Sequence, residues 1–273
     1  MNIPDPTKSH ISWFKELKNL KTSDGRSVTV LEFVPGEDDG LMSGWASYFR
    51  SHYCEDGEID SLRGGTGLSR GEYLEQLKFP DETKDFGPAT RASDFSEILV
   101  ADYLEYIMNY QIPRMRYLNK ENRNSSPQGV DVLGFKFLRQ DRISPEDELL
   151  TCEVKAALRN SNLEILATAF EGSKKDFQFK TPEALNALKQ RLLLRGHTQE
   201  AESVERFQNN VDRPYKKISA SAVVNSTEIW SDDIVTGKTL GTHPNSNVLL
   251  FAFRGNGLMD LAHQLYKKAH AES

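Results

Sequence analysis

A chain of 273 residues that is 38% hydrophobic and 27% charged has material for one large domain, or for a core with a smaller appendage. It has no stretch of about 18 apolar residues, and Met1-Asn2-Ile3-Pro4-Asp5-Pro6 is no signal peptide, so a membrane-spanning or exported class is excluded and a cytoplasmic protein without a membrane partner is expected. Its 34 Lys and Arg face 40 Asp and Glu, a net charge of −6, and this is not the basic balance of a free-standing nucleic-acid binder. Nucleic-acid chemistry here requires basic residues gathered on one face, or delivery of the substrate by something else. The two cysteines, Cys54 and Cys152, form neither a CxxC nor a disulfide framework, which suits a reducing compartment.

Residues 1–25 are polar, with one amphipathic piece around Ile11, Trp13, Phe14 and Leu17. Alternation predicts a strand over Ser27–Val34, ended by Pro35-Gly36. Leu41–Tyr53, carrying Trp45, Tyr48 and Phe49, reads as a helix. Gly64-Gly65-Thr66-Gly67 follows no strong strand and reads as a turn, not a phosphate loop. Ser69–Phe79 looks helical, and the charged stretch Pro80–Pro88 marks the boundary between an N-terminal α+β module, residues 1–88, and a core, residues 89–273.

The core opens with the strongest helical pattern in the chain, Ser93–Met108. Asp94 with Glu97 three residues on reads as a capping box. The helical wheel opposes that reading. Asp102, Glu105 and Asn109 form a polar face, whereas Glu97 shares a stripe with Val100, Ala101, Leu104 and Met108. A carboxylate on a core-facing stripe needs a partner, and a metal site on a neighbouring sheet would supply one. Arg114–Leu118 reads as a short first strand, and 120–128 as a polar turn.

Two strands follow. Gly129-Val130-Asp131-Val132-Leu133-Gly134 starts an apolar run with an acid just inside it. Leu149–Leu158 is apolar almost throughout, yet carries Glu153 and Lys155. Period-2 alternation puts Thr151, Glu153 and Lys155 on one face, and Cys152, Val154 and Ala156 on the other, so Cys152 is a small buried hydrophobe rather than a reactive thiol. Paired as a hairpin, the strands bring Asp131 and Glu153, 22 residues apart, onto one divalent cation. The tripeptide E-x-K alone decides nothing, because Glu16-Leu17-Lys18 and Glu82-Thr83-Lys84 repeat it in polar surroundings. Only Glu153-Val154-Lys155 has strand flanks and a preceding strand headed by an acid. The rival structural reading is an edge strand whose solvated Glu and Lys blunt aggregation.

Asn162–Phe170, Pro182–Leu194 and Thr198–Asn209 read as helices, the last two as a charged helical insertion over 181–210. Ile218–Val224 and Val248–Phe253 read as late strands, and Gly255–Ala269 as a closing helix. The order predicts an α/β fold, a mixed central sheet flanked by helices. Gly237-Lys238-Thr239 is not the end of a Walker loop, since position 232 is Asp232 rather than glycine. The six histidines lack metal-ligand spacing, and no GxSxG is present.

The D…ExK arrangement at Asp131 and Glu153-Val154-Lys155 is the signature of the PD-(D/E)xK nucleases. With Glu97 and the context Gly129–Gly134 and Cys152–Ala156, the chain from about residue 90 onward resembles the HamA family, nuclease subunits of the Hachiman anti-phage system. One departure is that Asp131 follows Gly129-Val130 rather than Pro, which is not a ligand. The resemblance implies a restriction-endonuclease-like core and a Mg²⁺-dependent (or Mn²⁺-dependent) DNase. It implies a heterodimer with a superfamily 2 helicase, HamB-like, that keeps the nuclease quiet until aberrant DNA is sensed. The expected metal set is Asp131, Glu153, the Val154 carbonyl and Glu97. Lys155 is expected to orient or deprotonate the attacking water, and Glu97 to reach the metal or to hold Lys155. The alternative is a catalytically silent nucleic-acid or partner-binding module on the same fold. The N-terminal module and the helices at 181–209 are the expected partner surfaces.

Overall fold

The computed structural model describes residues 6–36, 38–139 and 142–271. The readings at residues 1–5 and at Gln140 and Asp141, in the loop after Arg139, lie outside the described residues.

A six-stranded mixed sheet is the spine of the molecule. Two strands, β5 (Lys216–Ser226) and β6 (Val248–Gly255), lie side by side and parallel at its centre, where near-continuous small and apolar residues suit burial on both faces. Next to β5 runs β4 (Glu148–Ala157), also parallel, and then β3 (Val132–Lys136), antiparallel at the edge. On the other side β2 (Ser27–Phe33) pairs parallel with β6, and β1 (Phe14–Lys21) closes that edge antiparallel to β2. The N-terminal segment therefore extends the central sheet through the β2–β6 ladder.

β1 is the strand that periodicity does not reveal. Its sequence, Phe-Lys-Glu-Leu-Lys-Asn-Leu-Lys, is exposed along most of its length, as befits an edge with charged gatekeepers. The register shifts between Glu16 and Lys18, so this E-x-K lies at a bulge of an edge strand. Lys18 there pairs with Asp232 at 2.6 Å.

Helices cover both faces. On one side α1 (Asp39–Ser51), α4 (Gly87–Asp102) and α9 (Leu258–Ala271) pack over the core built on Trp45, Phe49, Tyr53, Phe95, Phe253 and Tyr266. The short α2 (Ile59–Arg63) and α3 (Arg70–Tyr73) lie between α1 and α4 in the chain. On the opposite face Ile165, Leu166, Ala169 and Phe170 of α5 (Ile165–Lys175) meet Val28, Val30, Val223 and Leu250. Past α5 come α6 (Thr181–Leu194) and α7 (Thr198–Glu205), whose Leu185, Leu192 and Val204 pack on Phe135 and Leu149 of the β3–β4 hairpin. A last short helix, α8 (Asp233–Thr236), joins the α5 side.

Two sequence expectations are corrected here. The core helix begins at Gly87, with Pro88 in its first turn, and continues through a widened turn over Tyr103–Ile107. Asp94 and Glu97 therefore sit mid-helix and buried, and the capping box does not exist. Arg114–Leu118 forms no strand; the chain touches the sheet only at the Gln111–Phe135 bridge and then turns, carrying Arg114, Arg116 and Tyr117 inward.

Candidate active site

The hairpin sets the site. Val132 stands opposite Cys152, so the residue before β3, Asp131, falls beside Glu153. Asp131 Oδ2 accepts the Val154 backbone N–H at 3.0 Å, which fixes the carboxylate at the strand's head. β4 is flanked by β3 and β5, and Glu153 is only 6% exposed, so the solvated-edge reading fails. As alternation predicts, Cys152 and Val154 join the α4-side core. Glu153 points to the other face, against α5. A Cβ at Gly172 would come within 2.6 Å of Glu153 Cγ and Cδ, so glycine is what lets the helix lie over the carboxylate. Lys155, on the same face and partly exposed, donates to Glu153 Oε1 at 2.5 Å. Burial works against its charge, but Glu153 and then Asp131 outweigh it and hold the amine above its ordinary value.

The centre of the cluster is a residue that sequence reasoning overlooked. Arg116 donates through Nε to Glu97 Oε2 at 2.8 Å, through Nη2 to Asp131 Oδ1 at 2.8 Å, and through Nη1 to the Val130 carbonyl at 2.9 Å. Tyr117 OH adds a second bond to Glu97 Oε2, at 2.6 Å. The buried Glu97 thus has partners, as its place on the apolar stripe demands. They are Arg116 and Tyr117, not Lys155. Burial and the neighbouring acids still push Asp131 up to about 7, with Glu97 the chief of those acids, and burial raises Glu97 as well. Behind Glu97, Asp94 Oδ2 receives Tyr53 OH at 2.9 Å and Lys120 Nζ at 2.5 Å.

Among the described residues no three His, Cys, Asp or Glu side chains gather closely enough to share one ion. The Arg116 guanidinium stands between Glu97 and Asp131, so the expected three-acid set is not assembled. The donor set that fits a hard cation is the pair Asp131 and Glu153, and Mg²⁺ commonly takes one or two carboxylates and keeps its waters.

A further acid faces the pair. Asp176 lies one helical turn beyond Gly172, fully buried, with Lys180 Nζ 2.9 Å from its Oδ1. Burial, reinforced by Glu153, raises it to about 7. Beside these groups a cavity of about 630 Å³ opens between the 112–117 and 126–133 segments and α6. Glu97, Arg116 and Asp131 line one wall, and Lys180, Ala184 and Arg191 the other. The helix at 181–194, expected as a partner surface, thus lines the cavity beside Glu97 and Asp131. Nothing in the sequence marks Asp176 or Gly172 as site residues. Arg116 carried one signal, an arginine two residues from another in a short apolar segment just ahead of the acid strand.

A mixed sheet flanked by helices, with an acid heading one strand of a hairpin and an acid–lysine pair on the other, defines an α/β protein with a restriction-endonuclease-like core. The chain belongs to the HamA family, whose family model matches residues 8–269. It is therefore a Hachiman-associated anti-phage defence protein. No curated protein matches the chain. Among the described residues no helix is long and apolar enough to cross a membrane.

Proposed function

We propose that this chain is a metal-dependent DNA nuclease, the effector of a Hachiman complex, kept inactive by a superfamily 2 helicase partner until DNA triggers its release. The observation that carries the reading is the hairpin that sets Asp131 beside a buried Glu153, with Lys155 bonded to that Glu on a face where glycine makes room. Asp131 and Glu153, with the Val154 carbonyl, would hold Mg²⁺ or Mn²⁺. A bound cation supplies Lewis-acid polarisation of the phosphoryl oxygen and a lowered pKa for the attacking water. Lys155, bonded to Glu153, would orient or deprotonate that water and neutralise charge on the phosphate. Arg116 and Tyr117 fix Glu97, and Arg116 orients Asp131. Acidity overall supports dependence on a partner for access to DNA.

A second reading, a catalytically silent binding module, draws support from Asp131, both of whose oxygens already have protein donors. Cleavage of supercoiled plasmid with Mg²⁺ or Mn²⁺, with and without the helicase, separates the two. The nuclease reading expects nicking or linearisation that Glu153→Ala lowers by at least about a hundredfold, on the order of the loss seen when one electrostatic group is removed from a catalytic site. Tight DNA binding without metal-dependent cleavage by the parent chain, alone or with the helicase, would move the assignment to the binding module.

A further inference from the structure

The cavity beside the acids contains a cation that has no partner among the described residues. One wall is a single helical stripe of α6 and the Lys180 that caps it: Lys180, Glu183, Ala184, Ala187, Leu188 and Arg191. Two alanines at the middle of the stripe leave the space open, and basic groups stand at its ends. Lys180 is engaged with Asp176. Of the other arginines lining the cavity, Arg114 pairs with Asp102 and Glu105, and Arg116 with Glu97 and Asp131. Arg191 alone of the three makes no side-chain hydrogen bond or ion pair among the described residues. It is partly buried, and burial together with the Arg116 charge holds it below the usual arginine value. Removing a guanidinium from water without a partner, and facing it toward a like charge, is unfavourable in the free chain. An anion in the cavity reverses both terms.

We propose that Arg191 is a phosphate-binding residue, taking a phosphodiester of the DNA backbone within the cavity, next to the bond attacked at Asp131, Glu153 and Lys155. This rests on the nuclease reading. The planar fork of arginine suits two phosphate oxygens, and a phosphate contact positions a strand without reading its sequence. The other group with matching chemistry, a carboxylate from a partner protein, is an outcome of the test.

The test uses the full chain, with Arg191→Ala and Arg191→Lys beside the parent. Binding of a labelled oligodeoxynucleotide, single-stranded and as duplex, is followed by anisotropy in EDTA over a range of salt. Cleavage of the same strands is followed with Mn²⁺. Arg191→Ala is expected to raise Kd about tenfold for every sequence and to flatten the slope of log Kd against log salt by about one. Arg191→Lys is expected to restore the slope and part of the affinity. In cleavage, KM should rise more than kcat falls. A parent that binds and cuts DNA while Arg191→Ala keeps its Kd, slope and KM overturns this inference alone, and loss of helicase association in that variant would point to the carboxylate. A parent that neither binds nor cuts, alone or with the helicase, overturns the nuclease reading and this one together.

Discussion

At the scale of single residues, the cluster is governed by how buried charge is satisfied. Glu97 and Asp131 would each carry a heavy desolvation cost alone, and one guanidinium serves both at 2.8 Å. A second buried network lies close by. His10 Nε2 is 2.9 Å from Asp102 Oδ2, and Arg114 donates to Asp102 Oδ1 at 2.7 Å. His52, in the cavity's lining, is 3% exposed and packs edge-on against Tyr48, with no partner at Nε2 among the described residues. Burial, aided by Arg114, lowers it to about 3. A histidine held neutral in the fold contributes stability that is complete above its ordinary value near 6.5 and is lost as pH falls from there toward about 3. Asp131 and Asp176, with raised values, contribute in the opposite sense, so the informative quantity is a difference. His52→Asn is expected to lose less stability than the parent between about pH 6.5 and 4.5, by on the order of 1–3 kcal/mol. Parallel urea titrations across that range check this, and curves of equal slope would show that His52 titrates normally.

Elements meet in this protein where small residues permit close approach. α5 crosses β4 at Gly172, where the Glu153 side chain fills the space of a missing Cβ. Alanine there should gain about 1 kcal/mol of helix propensity. It should cost about 1–3 kcal/mol of overpacking. The net effect on stability is then small, while Glu153 must swing out of register with Asp131 and drop Lys155. Gly172→Ala is expected to shift Tm by only a few degrees, in keeping with about 1–2 kcal/mol, and to lower cleavage at least about tenfold. Thermal melts beside plasmid cleavage measure both, and full activity in a folded variant would show that cleavage does not depend on where Gly172 lets Glu153 lie.

Across the whole molecule, the N-terminal stretch and the acid-bearing part share one core. β2 hydrogen-bonds β6 from Thr29 to Glu32, and Leu31, Phe33, Trp45 and Phe49 belong to the same apolar cluster as Phe95, Phe253 and Tyr266. Tyr53 reaches from the end of α1 to Asp94, immediately behind Glu97. A chain beginning at residue 89 is therefore expected not to fold, because it exposes the β6 edge and half of that aromatic cluster. Circular dichroism and near-UV spectra of the truncated chain check this, and a cooperative melt would establish an independent core.

The sequence by itself determined the hairpin and the faces of its side chains. Alternation is local, so it was enough to put Glu153 and Lys155 on one face, bury Cys152, and pair the Asp131 strand with the Glu153 strand. The helical wheel, also local, was enough to require a partner for Glu97. The identity of that partner was not legible, because Arg116 reaches Glu97 and Asp131 only after an irregular segment turns inward. The edge strand β1 hid for the converse reason: an edge needs charge, and charge erases the apolar period that marks a strand. That Arg116 stands between Glu97 and Asp131, that Asp176 faces Glu153 over Gly172, and that α6 closes a cavity with an Arg191 unpaired among the described residues were decided by tertiary packing alone. Glu97, Arg116, Asp131, Glu153, Asp176 and Arg191 lie 15 to 94 residues apart in the chain, and no local pattern encodes a distance across a core.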